Sequence, residues 1–270
     1  MSIKTKRVMD NGKLLRAVMC AVTLAFLIGA FFAPDLKEML PGLRRICLMP
    51  AQLTKDYFKP EIGSISGTML NYFLVGAVCC ALMFLPEATV NGGTVLAYFL
   101  TLGFCSYGMN ILNIIPLMLG VVVYALIRKQ PFGKFLNFYM FATAVSPIIT
   151  QVLFYYPVVG EAPHMTLLGV VLALVIGVVV GCSMPALCAH SPGFHKGYDL
   201  YNAGPAAGFL CFFIFAVLYK IPGVEAPAIT ATLGDGNRMF VNVFCCVLFA
   251  LCVIGGLILN GGLGDYTRLI

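Results

Sequence analysis

The sequence predicts an all-α, polytopic helical membrane protein with about eight transmembrane or partly re-entrant helices, some of them discontinuous. Three observations carry that prediction. Charged residues are only 10% of the 270 and hydrophobic ones 60%, whereas soluble domains hold about 25% charged residues. Mean hydropathy is +0.95. The apolar residues also gather in runs close to the roughly 20 residues that a bilayer crossing requires.

The first run, 15–33, follows a basic stretch of Lys4, Lys6, Arg7, Lys13 and Arg16. It is long for the apolar core of a signal peptide, and Pro34-Asp35 follows it instead of a small-residue cleavage site. A retained first span is therefore expected. Residues 1–14 are then a basic cytoplasmic tail, and 15–270 form the membrane domain. The polar insert 34–62 mixes Leu, Met and Ile with charges and prolines, as an interfacial helix pair or a re-entrant element would. The later runs fall at 66–86, 93–107, 109–127, 136–156, 166–188, 200–220 and 239–260.

Flanking charge sets the expected orientation in the cell membrane. Eight spans with a cytoplasmic N-terminus place the basic loop "RKQPFGK" (Arg128 to Lys134) inside and "PVVGEAPHM", which has no Lys or Arg, outside. The five basic residues of the insert then fall outside, against that trend.

Several function classes are disfavoured. The net charge of +6 is concentrated at the ends of apolar runs, a pattern for lipid headgroups rather than for nucleic acid. The eleven cysteines contain no C-x-x-C and lie mostly inside apolar runs, where Cys acts as a soft hydrophobe. His190 and His195 have no third ligand nearby, so neither a metal nor a cofactor is expected. No Asp, Glu, Lys or Arg falls centrally in a span, which argues against proton coupling through carboxylates. No Walker motif, H-E-x-x-H or G-x-S-x-G occurs, and an enzyme is not expected. Gly177-x-x-x-Gly181 and Gly204-x-x-x-Gly208 are spacings that permit close helix packing.

Chemistry concentrates in "GFCSYGMNILNIIPLMLGV", where two amides and two helix breakers lie at membrane depth. Gly108 is expected to stop one helix and a new one to start near Asn110, which puts Asn110 and Asn113 on one face. Irregular backbone there must be buried in protein or face water, and helix N-termini attract anionic groups. This gives a polar constriction or a site for a small polar or anionic solute. The other reading is interhelical glue, in which the asparagines only bind helices together. Solute-path candidates are Asn71, Ser106, Gly108, Asn110 and Asn113, with Tyr201, Asn202 and Gly204 at a second glycine-rich start. A channel or transporter for a small polar solute is the leading reading. A non-transporting scaffold or subunit is the alternative, and a membrane-embedded enzyme comes third. The expected partners are the bilayer and a small polar solute.

The segments "SGTMLNYFLVG", "VNGGTVLAYFLTLGFCSYGMNILNIIPLMLGV" and "FHKGYDLYNAGPAAGF" resemble an uncharacterised family of bacterial, largely Firmicutes, membrane proteins, domain of unknown function 1576. The resemblance implies two related halves. Only one G-x-x-x-N-x-x-P copy stands here, which implies a truncated or split member with a homo-oligomer or a missing second half as partner. It implies no substrate.

Overall fold

The computed structural model describes residues 11–51, 55–157, 164–196, 198, 203–220, 238–260 and 262. Among these residues every regular element is a helix: α1 (Asn11–Phe32), α2 (Met39–Cys47), α3 (Ile65–Leu82), α4 (Gly92–Phe104), α5 (Ile115–Ile127), α6 (Leu136–Ala142), α7 (Ser146–Tyr155), α8 (Leu167–His190), α9 (Pro192–His195), α10 (Ala203–Tyr219) and α11 (Met239–Asn260). Five stretches are long and apolar enough to cross a bilayer, namely Asn11–Phe32, Ile65–Leu82, Phe132–Tyr155, Leu167–His190 and Met239–Ile258. Gly92–Tyr107, Ile115–Ile127 and Ala203–Tyr219 are apolar but shorter. The eight runs are thus not eight equivalent crossings.

Local chemistry explains where the helices start and bend. The Ser64 hydroxyl caps α3 by accepting from Gly67 N at 3.0 Å, and the Asp35 carboxylate accepts from Ile65 N and Ser66 N at 2.6 and 2.9 Å. An anion there satisfies orphan N–H groups and the helix dipole together. Between α6 and α7 the run tightens to a 3-10 turn at Thr143–Val145, just ahead of Pro147. Thr143 Oγ1 donates back to Met140 O at 2.6 Å, beside the backbone bond from Thr143 N to the same carbonyl.

Side-chain contacts fix which ends lie together. Arg16 donates to Met83 O and Ala88 O at 3.1 and 3.0 Å. Lys134 pairs with Glu87 at 3.5 Å, and Gly133 lies on the backbone of Pro86 to Ala88. The start of α1, the end of α3, the start of α4 and the segment after α5 therefore share one end, here the basic end. At the opposite end Asp35 caps α3, Arg238 pairs with Asp56 at 2.7 Å, and Tyr156 meets Tyr219 with ring centroids 6.4 Å apart.

It follows that α4 leaves the basic end and α5 returns to it. Each has 13 residues, about 20 Å at the α-helical rise, against a hydrocarbon core of about 30 Å. The pair is a hairpin that enters and leaves at the same end.

Two apolar cores flank this hairpin. One joins α1, α3 and α4 through Met19, Phe26, Val75, Tyr98 and Leu102. The other joins α5 to α8 and α10 through Leu117, Val121, Ile149, Val180 and Ala206. Helices α5 and α8 approach so closely that a Cβ on Gly120, Gly177 or Gly181 would strike facing backbone or Pro116. A Cβ on Gly208 would meet nothing within 4 Å, so only the first of the two small-residue spacings is a packing contact. Helix α11 touches the rest mainly where Phe244 lies on Phe26 and Gly29, and its outward apolar face suits lipid.

Candidate functional site

The hairpin tip is built from three backbone devices in succession. The 3-10 turn Cys105–Tyr107 ends α4, and Gly108 follows in the left-handed region at φ 94°. Met109 N then reaches back to Phe104 O at 3.2 Å, the closing bond of a Schellman-type stop. Only glycine serves at 108. The positive φ disfavours any side chain, and a Cβ would also run into the Tyr57 hydroxyl and stand 2.6 Å from Ala51 Cβ.

Asn110 and Asn113 form the turn itself. They do not project from one face of a helix, because α5 begins only at Ile115. Asn110 N donates to Asn113 Oδ1 at 2.8 Å, and Asn113 N donates to Asn110 Oδ1 at 3.1 Å. This reciprocal pairing has the logic of a capping box. Asn110 Oδ1 also accepts from Leu112 N at 3.0 Å. Both amide nitrogens donate to Gly108 O, at 3.2 Å from Asn110 and 2.9 Å from Asn113. Pro116, in the first turn of α5, has no N–H to satisfy.

The tip is sealed by its neighbours. Asn110 and Asn113 are 0% and 1% exposed. Asn110 Nδ2 donates to Ile46 O at 3.3 Å, and Asn71 Nδ2 donates to Met109 O at 2.7 Å. Asn71 lies six residues beyond the start of α3, so the tip stands about 9 Å along that helix from the opposite end. The insert closes over it. Ala51 and Tyr57 flank Gly108, Ala51 N donates to Thr150 Oγ1 of α7 at 3.1 Å, and Thr68 donates to Tyr57 O at 2.6 Å. The Ser106 hydroxyl bonds the Tyr72 hydroxyl, whose ring stacks on Phe26 at 4.5 Å.

Five solute-path candidates, Asn71, Ser106, Gly108, Asn110 and Asn113, thus meet in one place. Gly204 lies apart, in the first turn of α10; Tyr201 and Asn202 lie outside the described residues. Sequence reasoning missed the partners that come from the insert, namely Ile46 O, Ala51 and Tyr57. Their only sequence signal was the insert's alternation of apolar residues with prolines. Polar demand at the tip is nearly but not wholly met: Asn71 Oδ1 is buried without a partner. Among the described residues no three His, Cys, Asp or Glu side chains gather to hold a metal. In the insert, burial pushes the Cys47 thiol up to about 11.

Residues 35–220 match the family model described as "Protein of unknown function (DUF1576)". That span covers nearly all of the insert, the hairpin and the second core, while α1 and α11 lie outside it. No curated protein matches, and no solved structure matches.

Proposed function

The chain belongs to the DUF1576 family of proteins of unknown function, and from its hairpin we propose that it passes a small polar solute across the cell membrane as a channel or carrier. One observation carries this reading. A hairpin from the basic end and the insert from the opposite end meet tip to tip, each presenting non-helical backbone. Such backbone is expensive at membrane depth, and half-crossing elements of this kind are how transport proteins place a solute site between two wet vestibules. One side-chain bond from the tip across to the insert is Asn110 Nδ2 to Ile46 O at 3.3 Å. The arrangement fits a closed state whose opening parts the tip from Ile46, Ala51 and Tyr57. On this reading the basic end faces the cytoplasm, the side that positive flanking residues favour. The insert's opposing charge is partly offset, since Arg45 pairs with Glu38 at 2.8 Å.

Liposomes containing the protein are expected to release entrapped polyols, amino acids or hydroxy acids faster than empty ones. Asn71→Leu removes the bond to Met109 O that holds the tip in this closed state and is expected to raise that rate by up to about tenfold, the factor that a lost buried bond of about 1.4 kcal/mol corresponds to; circular dichroism and gel filtration should stay unchanged. A second reading has its own observation. Both amides of Asn110 and Asn113 are fully used inside the tip, as a structural clasp in a scaffold subunit would require. Release no faster than from empty liposomes for every solute tested would leave that reading standing.

A further inference from the structure

The insert carries positive charge that the fold leaves unanswered. Residues 36–48 hold Lys37, Arg44 and Arg45 against Glu38 alone, and Glu38 is taken by Arg45 at 2.8 Å. Lys37 and Arg44 are exposed and have no acidic partner among the described residues.

Their place in the fold is the boundary of the bilayer. Helix α1 has 22 residues, about 33 Å at the α-helical rise. It crosses a hydrocarbon core of about 30 Å and releases the chain at the end opposite the basic one. Both ends of α2 are tied to the residues just ahead of α3. Ser64 Oγ donates to Glu38 O at 3.3 Å, and Arg45 donates to Ile62 O and Pro60 O at 3.3 and 2.8 Å. The helix therefore lies across that end instead of continuing α1.

One face of α2 is spent on the bundle. A Cβ on Gly42 would run into Gly63 O, and Ile46 and Cys47 are buried. The other face repeats every four residues as Leu40, Arg44 and Leu48. Leu40 and Leu48 are 65% and 40% exposed, and Leu36, just ahead of the helix, is 45% exposed. A groove of about 570 Å³ is walled by Leu40, Pro41, Arg44, Arg45, Leu48 and Met49. Neither bulk phase suits this face. Water leaves the leucines uncovered, and hydrocarbon leaves the cations without a counter-charge. A lipid monolayer satisfies both, with acyl carbon on the leucines and phosphate at the cations.

We propose that this face of the insert seats an anionic phospholipid. Arg44 holds the phosphate in the groove, Lys37 adds positive charge in the turn before α2, and the acyl chains lie along Leu40 and Leu48. A zwitterionic headgroup brings its own ammonium and leaves the charge of Lys37 and Arg44 unanswered. The bound lipid also accounts for basic residues on the side where flanking positive charge is disfavoured.

The chain has no tryptophan, so Leu40→Trp reports on this face alone. The test reconstitutes the full chain carrying that substitution in phosphatidylcholine vesicles that contain brominated phosphatidylglycerol or brominated phosphatidylcholine. Bromine quenching of the indole gives the relative association constant of the two lipids. Phosphatidylglycerol is expected to be favoured about fivefold or more, the factor that one basic side chain near an anionic surface contributes. Adding Arg44→Gln should remove about fivefold of that preference, and Lys37→Gln should lower it in the same direction. The Arg44 guanidinium is exposed and bonds nothing among the described residues, so this substitution leaves the fold intact. Val253→Trp, on the outward face of α11 in a helix without charged residues, is the control and should be quenched equally by both lipids. Equal quenching at Leu40→Trp, a preference that survives Arg44→Gln, or the same preference at Val253→Trp would overturn the assignment. So would an indole at position 40 that neither lipid quenches, since the face would then be covered by a second copy of the chain or by another protein.

Discussion

The α5–α8 seam gives the most direct quantitative test of the packing. A Cβ added at Gly120 would overlap Val178 O and stand 2.7 Å from Gly181 Cα and 2.8 Å from Cys182 N, where ordinary contact begins at 3.4 Å. All these neighbours are backbone, so no flexible side chain can give way. Gly120→Ala must therefore push the helices apart by about 0.6 Å or more. A radial gap of that size forfeits roughly a quarter or more of each dispersion contact it opens, and overpacked cores lose about 1–3 kcal/mol. The expected loss for Gly120→Ala is in that range, with a similar loss for Gly181→Ala. Reversible unfolding in mixed micelles measures it. Gly255→Ala and Gly256→Ala on α11 are internal controls, because a Cβ at either meets nothing within 4 Å. A Gly120→Ala protein as stable as those controls, within about 0.5 kcal/mol, would refute the close approach and the placement of α5 on α8.

Three further outcomes follow from named contacts. Asn110→Ala leaves Leu112 N and Asn113 N without their shared acceptor and should destabilise by about 2–6 kcal/mol, at about 1–3 per abandoned buried group; the same unfolding measurement reads it. Asp35→Ala removes the carboxylate from two N–H groups at the start of α3 and should cost about 1–2 kcal/mol, read by the same unfolding measurement. Cys47, whose thiol sits near 11 because it is buried, should react slowly with maleimide at pH 7. Its labelling, followed by peptide mass spectrometry, should rise about tenfold per pH unit from 8 to 10 as the thiolate fraction grows.

The membrane class was legible because it rests on composition, which folding does not change. The break at Gly108 was legible for a similar reason: a glycine two residues ahead of an asparagine in an apolar run has a local backbone meaning. The role of Asn110 and Asn113 was not legible. A separation of three residues reads equally well as one helical face and as the reciprocal pairing of a turn, and only the start of α5 at Ile115 decides between them. Helix length was hidden too, since an apolar helix of 13 residues reads in sequence like a poorly bounded longer run. The partners of the tip were beyond local reasoning, because Ile46 and Asn110 are 64 residues apart.

The hairpin also runs from one core to the other, and the two interlock through α6, whose Leu136 and Met140 belong to one and Tyr139 and Ala142 to the other. Its α4 arm belongs to the core of Tyr98 and Leu102, while its α5 arm is clamped on α8 by glycine contacts. Between them runs the non-helical stretch 108–114. A rigid scaffold gains nothing from spending buried asparagines and a left-handed glycine at such a junction. On the transport reading proposed above, that junction is where the tip would part from Ile46, Ala51 and Tyr57.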